Sequence, residues 1–436
     1  MRSLLWTKNF TLLWGGQSIS GFGSELTLLV YPLVAIGLLE VPTASVPLLA
    51  LASGLGTVVG LSVLAPLADH PRQRTLLAIL DAVRFGALGV TAISLATMQF
   101  GFEVMCLSSF VIAACTALYD SAFAALIPSA VAQRALPSAN AWFGGVRSAA
   151  NIGAGGAGAI LLHLLAAPAL LLLDALTYCV AAVSLIGLDL PVMTRRAPER
   201  TDYLAGFRAL RADRVQRSIT AASAHFNLFT TAIQSILVVF SVRTLGLTSL
   251  GVGIAMSIGG VIGLLGIVLT DPIHRRFPLG PVLAVTFALP GLATILLTAV
   301  PRGSGFPSAL LAVVAVALLN GLWSISVIIN IAGCETLRQI EVPRGMLGRF
   351  SAAVRLVTWG VDPLGALLAA ALLLVVDLPL ALLLLGAGLV VSSAWVLTSR
   401  RIMSLQSLSR AVEEGVAGSP TLDTDAVSAG TPSLEA

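Results

Sequence analysis

A short polar break separates two long apolar stretches at residues 65–74, which read APLADHPRQR. A similar break occurs about two hundred residues later, at residues 266–276, which read GIVLTDPIHRR. Each time an apolar stretch runs into an Asp, a turn and a pair of arginines, and then the next apolar stretch begins. We interpret the two breaks as matching points in two halves of one membrane protein. Their charged residues are Asp69, Arg72, Arg74, Asp271, Arg275 and Arg276.

The composition places the chain in a lipid bilayer. Of its 436 residues, 57% are hydrophobic and 11% are charged, and the mean hydropathy is +0.96. Soluble globular proteins carry about 25% charged residues. The four cysteines lie in or beside apolar stretches without a CxxC pair, which favours small buried side chains over a metal site or disulfides. We therefore expect no metal and no cofactor.

Twelve apolar runs are each long enough to cross a bilayer as a helix, which takes about 20 residues. They lack the alternation of barrel strands, and helices satisfy their own backbone groups in lipid. We predict an all-α membrane protein with twelve transmembrane helices in two pseudo-symmetric six-helix bundles. The runs are residues 10–38, 45–67, 74–97, 103–126, 140–165, 167–190, 218–242, 248–270, 279–300, 307–332, 349–374 and 378–398.

The positions of Lys and Arg predict the orientation, because cytoplasmic loops are enriched in both. With both termini cytoplasmic, 20 of the 25 Lys and Arg residues fall in cytoplasmic segments, and only Arg243 and Arg302 fall in outer loops. The same distribution explains the pI of 9.2 and argues against a nucleic-acid partner. We expect a monomeric, multi-pass protein of a bacterial-type plasma (inner) membrane, surrounded by lipids.

The predicted domains follow the two sets of six runs. Residues 1–190 form the first bundle, 191–217 a cytoplasmic linker, 218–400 the second bundle and 401–436 a disordered cytoplasmic tail, rich in Ser, Ala, Gly and Thr. In the linker, apolar residues alternate with arginines from Tyr203 onward. This pattern predicts an amphipathic helix lying on the inner membrane surface.

Two parallel six-helix repeats are typical of the major facilitator superfamily. The break at residues 65–74 resembles that superfamily's loop between spans two and three, Gly-x-x-x-Asp-Arg-x-Gly-Arg-Arg. It matches the pattern at Asp69, Arg72 and Arg74 and departs from it at Ala65 and His70. Val146-Arg147 and Val354-Arg355 form a second matching pair between the halves, 208 residues apart.

Further motifs resemble the drug and siderophore exporter branch, which includes macrolide-efflux and enterobactin-exporter relatives. These motifs are residues 9–23, Asp81-x-x-Arg84, residues 126–140 and residues 342–349. The resemblance covers residues 10–400. It implies proton-coupled efflux of an amphipathic small molecule by rocking of the two halves, driven by the proton gradient.

A gate at the cytoplasmic end is the first set of candidate residues. The resemblance implies that Asp69 braces neighbouring helix ends, and a carboxylate at a helix N-terminus contributes up to ~2 kcal/mol. A solvated turn is the alternative. Asp81 and Arg84 share a helix face and are expected to form a latch or to act in transport. Two alternatives, ion pairs between helices and contacts with interfacial water, are equally expected for four further residues: Asp120, Arg147, Glu335 and Arg355. The predicted gate is Asp69, Arg72, Arg74, Asp81, Arg84, Asp120, Arg147, Asp271, Arg275 and Arg355.

Proton coupling and substrate binding give the second set. Glu25 lies near the middle of the first span, where no Lys or Arg stands at matching depth. A mid-membrane carboxylate costs roughly 2.5–3.5 kcal/mol on insertion scales, which suits a proton carrier or a site for cationic substrates. A protonated acid that is hydrogen-bonded inside the bundle is the structural alternative, and the neutral candidates can instead bond between helices. The set is Glu25, Asp174, His225, Asn227, Gln234, Asn320 and Asp362.

Three other functions are weighed against export. The chain has no HExxH, no GxSxG and no paired-Asp motif of an intramembrane protease, so we expect no enzyme activity. An uptake permease or facilitator of the same fold remains open. So does a membrane sensor or lipid scramblase that transports no solute.

Overall fold

The computed structural model describes residues 7–64, 67, 72–131, 135–188, 203–301, 306–342 and 346–404. The described residues form helices and short connections, with no β-strand among them. The first half contains α1 (Lys8–Gly37), α2 (Pro47–Ser62), α3 (Gln73–Thr97), α4 (Gly101–Ala130), α5 (Leu136–Leu164) and α6 (Ala167–Ile186). The second half contains α7 (Tyr203–Ala212), α8 (Arg214–Arg243), α9 (Ser249–Gly263), α10 (Leu265–Arg276), α11 (Leu279–Thr298), α12 (Phe306–Glu341), α13 (Leu347–Trp359), α14 (Asp362–Leu372), α15 (Leu378–Val391), α16 (Ala394–Leu397) and α17 (Arg400–Met403).

Among these residues, 11 helical segments are long and apolar enough to cross a membrane. Four of them join two helical elements: Thr43–Ser62, which adds the 3₁₀ turn Thr43–Ser45 to α2, and Ser249–Arg276, Arg349–Leu372 and Leu378–Leu397. The remaining predicted span, the fifth, coincides with α5, whose 29 residues extend about 43 Å at 1.5 Å per residue. The predicted all-helical fold is confirmed, and the count of twelve agrees with the 11 segments together with α5.

The two halves use the same set of helix contacts. In the first half, α1 packs against α5 and α6, α3 packs against α4 and α6, and α2 packs against α4. In the second half, α8 packs against α14 and α15, α11 against α12 and α15, and α9 against α12. The halves meet where α9 packs on α5 and where α14 packs on α2. These equivalent contacts confirm two pseudo-symmetric bundles.

A glycine lies at each of the two junctions between the halves. A Cβ on Gly54 of α2 would lie 3.0 Å from the backbone nitrogen of Pro363 in α14. A Cβ on Gly260 of α9 would lie 3.0 Å from Cγ1 and 3.1 Å from Cα of Ile152 in α5. Non-bonded carbon atoms prefer about 3.5–4.0 Å, so a side chain at either position would press on the opposite half, and glycine permits the close approach. We call these two places the pivot contacts.

The two ends of the molecule differ. We call the end that carries Lys8, Arg74 and Arg275 the basic end, and the opposite end the distal end. At the distal end, Arg243 of the second half donates hydrogen bonds to the Val41 carbonyl, at 2.9 Å, and to the Thr43 hydroxyl of the first half. These bonds cross between the halves.

Apolar packing shows the same asymmetry. The main buried cluster of the second half reaches into the first half through four side chains on the distal part of α1 and at the start of α2: Leu29, Leu33, Ile36 and Val46. Towards the basic end, the cluster around Phe10 lies wholly in the first half, and the cluster around Phe350 lies wholly in the second. The described part of the chain is therefore closed at its distal end.

The sequence pattern predicts a turn at Asp271 in the second polar break, and this prediction is wrong. The α10 helix continues through Asp271 and ends at Arg276. Phe277 is extended, with φ −114° and ψ 147°, because the proline ring of Pro278 disfavours a helical conformation in the residue before it. The turn therefore follows the arginines. Residues 65–66 and 68–71 of the first break lie outside the described residues.

The predicted amphipathic helix of the linker exists as α7, but protein covers its apolar side. Leu210 lies in a buried cluster with Phe350 and Val354 of α13. The next span begins at Arg214, earlier than predicted, because Asp213 caps α8 by accepting from the backbone nitrogens of Val215 and Gln216, at 2.8 and 3.0 Å. The predicted disordered tail lies outside the described residues from residue 405 onward, and α17 occupies its start.

Candidate functional site

The eleventh span is broken near its middle. It was predicted as one helix over residues 349–374, but α13 ends at Trp359 and α14 begins at Asp362. Pro363 has no N–H group to donate to the carbonyl of Trp359, and a proline ring crowds the preceding turn of a helix. The break therefore follows from Pro363. It places the Asp362 carboxylate at the start of a half-helix inside the apolar region.

Two side chains of α8 hold this break. Asn227 donates from Nδ2 to the Thr358 carbonyl at 2.9 Å, which satisfies an acceptor near the end of α13. One turn later, the Thr231 hydroxyl donates to Oδ1 of Asp362 at 3.2 Å. Residues four apart share one face of a helix, so a single face of α8 serves both ends of the break.

The Asp362 carboxylate combines three properties. It is half-buried within a span, its hydrogen-bond partner is the neutral Thr231 hydroxyl, and no ion pair reaches it from the described residues. Its neighbour Pro363 makes the pivot contact with Gly54 of the other half. Broken helices at the interface of transporter repeats commonly form ion and substrate sites. A change of charge at Asp362 would act where the two halves meet.

A second carboxylate, which is fully buried, lies inside the first bundle. Asp174 of α6 is 2% exposed and accepts hydrogen bonds from the hydroxyls of Thr27 in α1 and Thr177, the latter at 3.2 Å. Ser24 and Tyr178 join the same two helices through a 2.8 Å hydrogen bond. These contacts link α1 to α6 through polar groups at the centre of the bundle.

The predicted pair of Asp81 and Arg84 is an ion pair of 3.2 Å, with side chains 0% and 4% exposed. The Arg84 guanidinium lies over the ring of Tyr119 in α4 at 4.2 Å and of Tyr178 in α6 at 5.0 Å. Cation–π contacts of this kind help to compensate a buried charge. The pair thus joins three helices of the first bundle.

Six of the other predicted gate residues make contacts within their own half. Arg74 donates to the Leu188 carbonyl at 2.5 Å and joins α3 to the end of α6. Asp120 is exposed and lies within electrostatic range of Arg147. An exposed ion pair of 3.0 Å joins Asp271 to Arg275, and Arg355 lies 5.9 Å from the ring of Trp359. Arg72 is exposed at the start of α3, and Asp69 lies outside the described residues.

Residues 13–361 match the family described as the Major Facilitator Superfamily, which is most of the chain. The chain belongs to this superfamily. No curated protein matches the chain at a significant level.

Several solved structures share the fold of this chain at low sequence identity. A point mutant of the nucleoside transporter NupG has a TM-score of 0.72 at 15% identity, covering 90% of this chain and 99% of that one. A bacterial homologue of the iron transporter ferroportin, in its inward-facing state, has a TM-score of 0.68 at 16% identity, covering 89% and 98%. A bacterial metal transporter has a TM-score of 0.63 at 15% identity, covering 91% and 99%. At such identities the likeness concerns the fold alone.

The remaining residues predicted for proton coupling or substrate binding lie in different surroundings. Glu25 is half-buried and has a polar or electrostatic interaction in the folded chain. His225 is held inside the second bundle: Nε2 lies 2.9 Å from the Gly388 carbonyl, and Nδ1 lies 3.4 Å from the indole nitrogen of Trp395. Asn320 donates to the Val316 carbonyl of its own helix at 3.0 Å. Gln234 borders a crevice in the second bundle.

The threonine partners were not predicted. Thr27 of α1 donates to the buried Asp174, and Thr231 of α8 donates to the half-buried Asp362. A threonine in an apolar run is too common to stand out. The spacing of Asn227 and Thr231 is a usable signal, because two polar residues four apart on a span favour a polar face.

Proposed function

We propose that this superfamily member is a proton-coupled exporter of an amphipathic, drug-like or secondary-metabolite molecule that works by alternating access. The observation that supports coupling is the Asp362 carboxylate, which stands beside a pivot contact with a neutral hydroxyl partner. We take Asp362 as the first proton carrier, with Glu25 and Asp174 as further candidates.

The proposed coupling follows from the cost of a charge in the membrane. An ionised mid-span carboxylate costs roughly 2.5–3.5 kcal/mol on insertion scales. The conformation that withdraws Asp362 from water therefore favours its protonated form, and the conformation that hydrates it favours release of the proton. Since a ligand shifts an equilibrium by its differential affinity for two states, proton binding at Asp362 biases the rocking of the halves.

We propose that the basic end faces the cytoplasm, with both termini on that side of the plasma membrane. The distribution of arginines supports this orientation. In that orientation, closure at the distal end suits the state in which an exporter loads its substrate from the cytoplasm. The gate residues at the basic end would then pair across the halves when the protein turns outward.

The proposal of an organic substrate rests on the chemistry of the spans. The compared proteins are a nucleoside transporter, a homologue of an iron transporter and a metal transporter. In the part of this chain that the structure describes, no three His, Cys, Asp or Glu side chains lie together as a metal site needs. Apolar and aromatic spans with a few polar groups suit an amphipathic molecule, as the resemblance to the drug and siderophore exporters implies.

The test uses purified protein in proteoliposomes that contain a pH indicator. Addition of ethidium or a macrolide should evoke proton movement coupled to substrate flux, and an uncoupler should abolish accumulation. Asp362→Asn should reduce coupled flux at least tenfold. Asp377→Asn is the matched control, because Asp377 is an exposed N-cap and asparagine caps equally well.

Each other outcome contradicts part of the proposal. Full coupling in Asp362→Asn would remove Asp362 as the carrier, and Glu25→Gln would then be measured in the same way. Equal flux in both directions without a gradient would indicate a facilitator. A reconstituted protein that moves no solute would indicate a sensor or a scramblase.

A further inference from the structure

We propose that the first bundle holds a proton-binding site separate from Asp362, in which Asp81 and Asp174 share one proton and Arg84 determines which of the two acids stays charged. All three side chains are buried: Asp81 is 0% exposed, Asp174 2% and Arg84 4%. The inference deepens the proposed proton coupling, and the part that this site plays in transport rests on that proposal.

The three groups lie at similar depth in two neighbouring helices. The α3 helix starts at the basic end and α6, which packs against it, finishes there. Arg84 stands 11 residues after the first residue of α3, and Asp174 stands 12 residues before the last residue of α6. At 1.5 Å per residue, they lie about 17 and 18 Å from those helix ends. Arg84 is therefore within electrostatic range of Asp174 as well as paired with Asp81 at 3.2 Å.

The charges of this cluster balance only when one acid is protonated. Arginine stays protonated in proteins, so one positive charge faces two acids. Asp120 also lies within electrostatic range of Arg84, but it is exposed and water solvates its charge. A second ionised acid among buried helices would have no counter-ion, which is strongly disfavoured. The other titratable side chains that interact with the cluster are neutral at physiological pH; they are Tyr31, Cys115, Tyr119 and Tyr178.

The contacts of each acid indicate where the proton resides. Asp81 has the Arg84 guanidinium as its ion-pair partner. Asp174 is met instead by neutral hydroxyls, and Thr27 donates to its Oδ2. The Thr177 hydroxyl has one proton for two acceptors, the backbone carbonyl of Asp174 at 2.6 Å and its Oδ1 at 3.2 Å. In this conformation Asp81 therefore carries the negative charge and Asp174 carries the proton.

Arg84 can change its partner without moving far. Its guanidinium lies over the rings of Tyr119, at 4.2 Å, and Tyr178, at 5.0 Å. The face of a ring attracts a cation electrostatically and leaves the direction of its N–H groups free. Release of the proton from Asp174 leaves two carboxylates for one guanidinium, which weakens the pair with Asp81. Since α3 begins at the basic end, the site links a proton inside the bundle to that end of the molecule.

The test detects the proton itself, without substrate or flux. Purified full-length protein, in a detergent without ester groups, is studied at neutral pH by infrared spectroscopy. A protonated carboxyl gives a C=O band that shifts in D₂O, and a variant-minus-parent difference spectrum cancels the acids that both proteins share, Asp362 included. Asp174→Asn should remove one such band. Asp81→Asn should remove the same band although Asp174 is still present, because Arg84 then pairs with Asp174.

Arg84→Gln should instead add a second band of about the same size, since neither acid keeps its counter-ion. Asp377→Asn, at an exposed N-cap, is the control and should leave these bands unchanged. The amide band of each spectrum reports whether the variant is folded, and if one variant fails to fold, the other two decide. A band that survives in Asp81→Asn or in Asp174→Asn, or that does not grow in Arg84→Gln, overturns the proposal. The expected bands in a protein that moves no solute would refute the exporter hypothesis alone.

Discussion

Replacing Arg243 with alanine should open the distal end more often. The guanidinium joins the end of α8 in the second half to Val41 and Thr43 in the first half, through two hydrogen bonds. A net hydrogen bond contributes about 0.5–1.5 kcal/mol, and exposed charged contacts lie at the low end of the range. Two such bonds stabilise the closed end by about 1 kcal/mol, which corresponds to a roughly fivefold change in the open population.

Labelling of a buried cysteine measures this population. Ile36 is 8% exposed in the cluster that joins the halves, so an Ile36→Cys probe in a background without the native cysteines should react slowly with a membrane-impermeant maleimide. When opening and closing are fast, the rate follows the open population. We expect a roughly fivefold faster reaction in Arg243→Ala and a partial return in Arg243→Lys. An unchanged rate, or an equal increase in Arg401→Ala at the basic end, would refute the reasoning.

Three further predictions test the interface, the helix break and the end of α12. Gly54→Ala should slow transport roughly tenfold, because its Cβ would press against Pro363 and overpacking costs about 1–3 kcal/mol. The control is Gly15→Ala, whose Cβ would meet nothing within 4 Å and which should leave the flux unchanged. Asn227→Ala should lower the unfolding temperature, since the Thr358 carbonyl loses its hydrogen-bond partner and an unsatisfied buried group costs about 1–3 kcal/mol. A decrease in unfolding temperature no larger than that of Asn320→Ala would contradict this role. Burial raises the pKa of Glu341, so the folded state binds its proton more tightly and stability falls as pH rises through that pKa. Glu341→Gln should remove this dependence in thermal scans from pH 4 to 8, with an effect under about 1 kcal/mol because the side chain is only partly buried.

The spans were predictable because lipid imposes a simple length and composition rule on every crossing helix. Residues 279–300 were predicted and α11 covers Leu279–Thr298; residues 74–97 were predicted and α3 covers Gln73–Thr97. The break at Pro363 was not predictable by the same rule. Hydropathy reports transfer of side chains into lipid and carries no information about a missing backbone hydrogen bond. The helical course of α10 was missed because Asp271-Pro272 reads as a turn.

The acids within the spans were predictable and their partners were not. A charged residue in a span must face the protein interior, so Asp174 and Asp362 stood out in the sequence. Which hydroxyl meets each acid depends on the rotation and height of a neighbouring helix, as for Thr27 and Thr231. His225 was a candidate for the substrate site with a bond between helices as the alternative, and Gly388 and Trp395 of distant segments meet both of its ring nitrogens. Such long-range contacts leave no local pattern.

The docking of α7 on α13 has a consequence for engineering. Since α7 is packed on the second half, the stretch that connects it to α6 runs only over residues 187–202. At about 3.4 Å per residue, this stretch can reach about 54 Å. A cut before Tyr203 would leave α7 attached to the half on which it packs. The chain should therefore tolerate a cut before Tyr203, and two separately encoded polypeptides, co-expressed, should reassemble through the α5–α9 and α2–α14 interfaces.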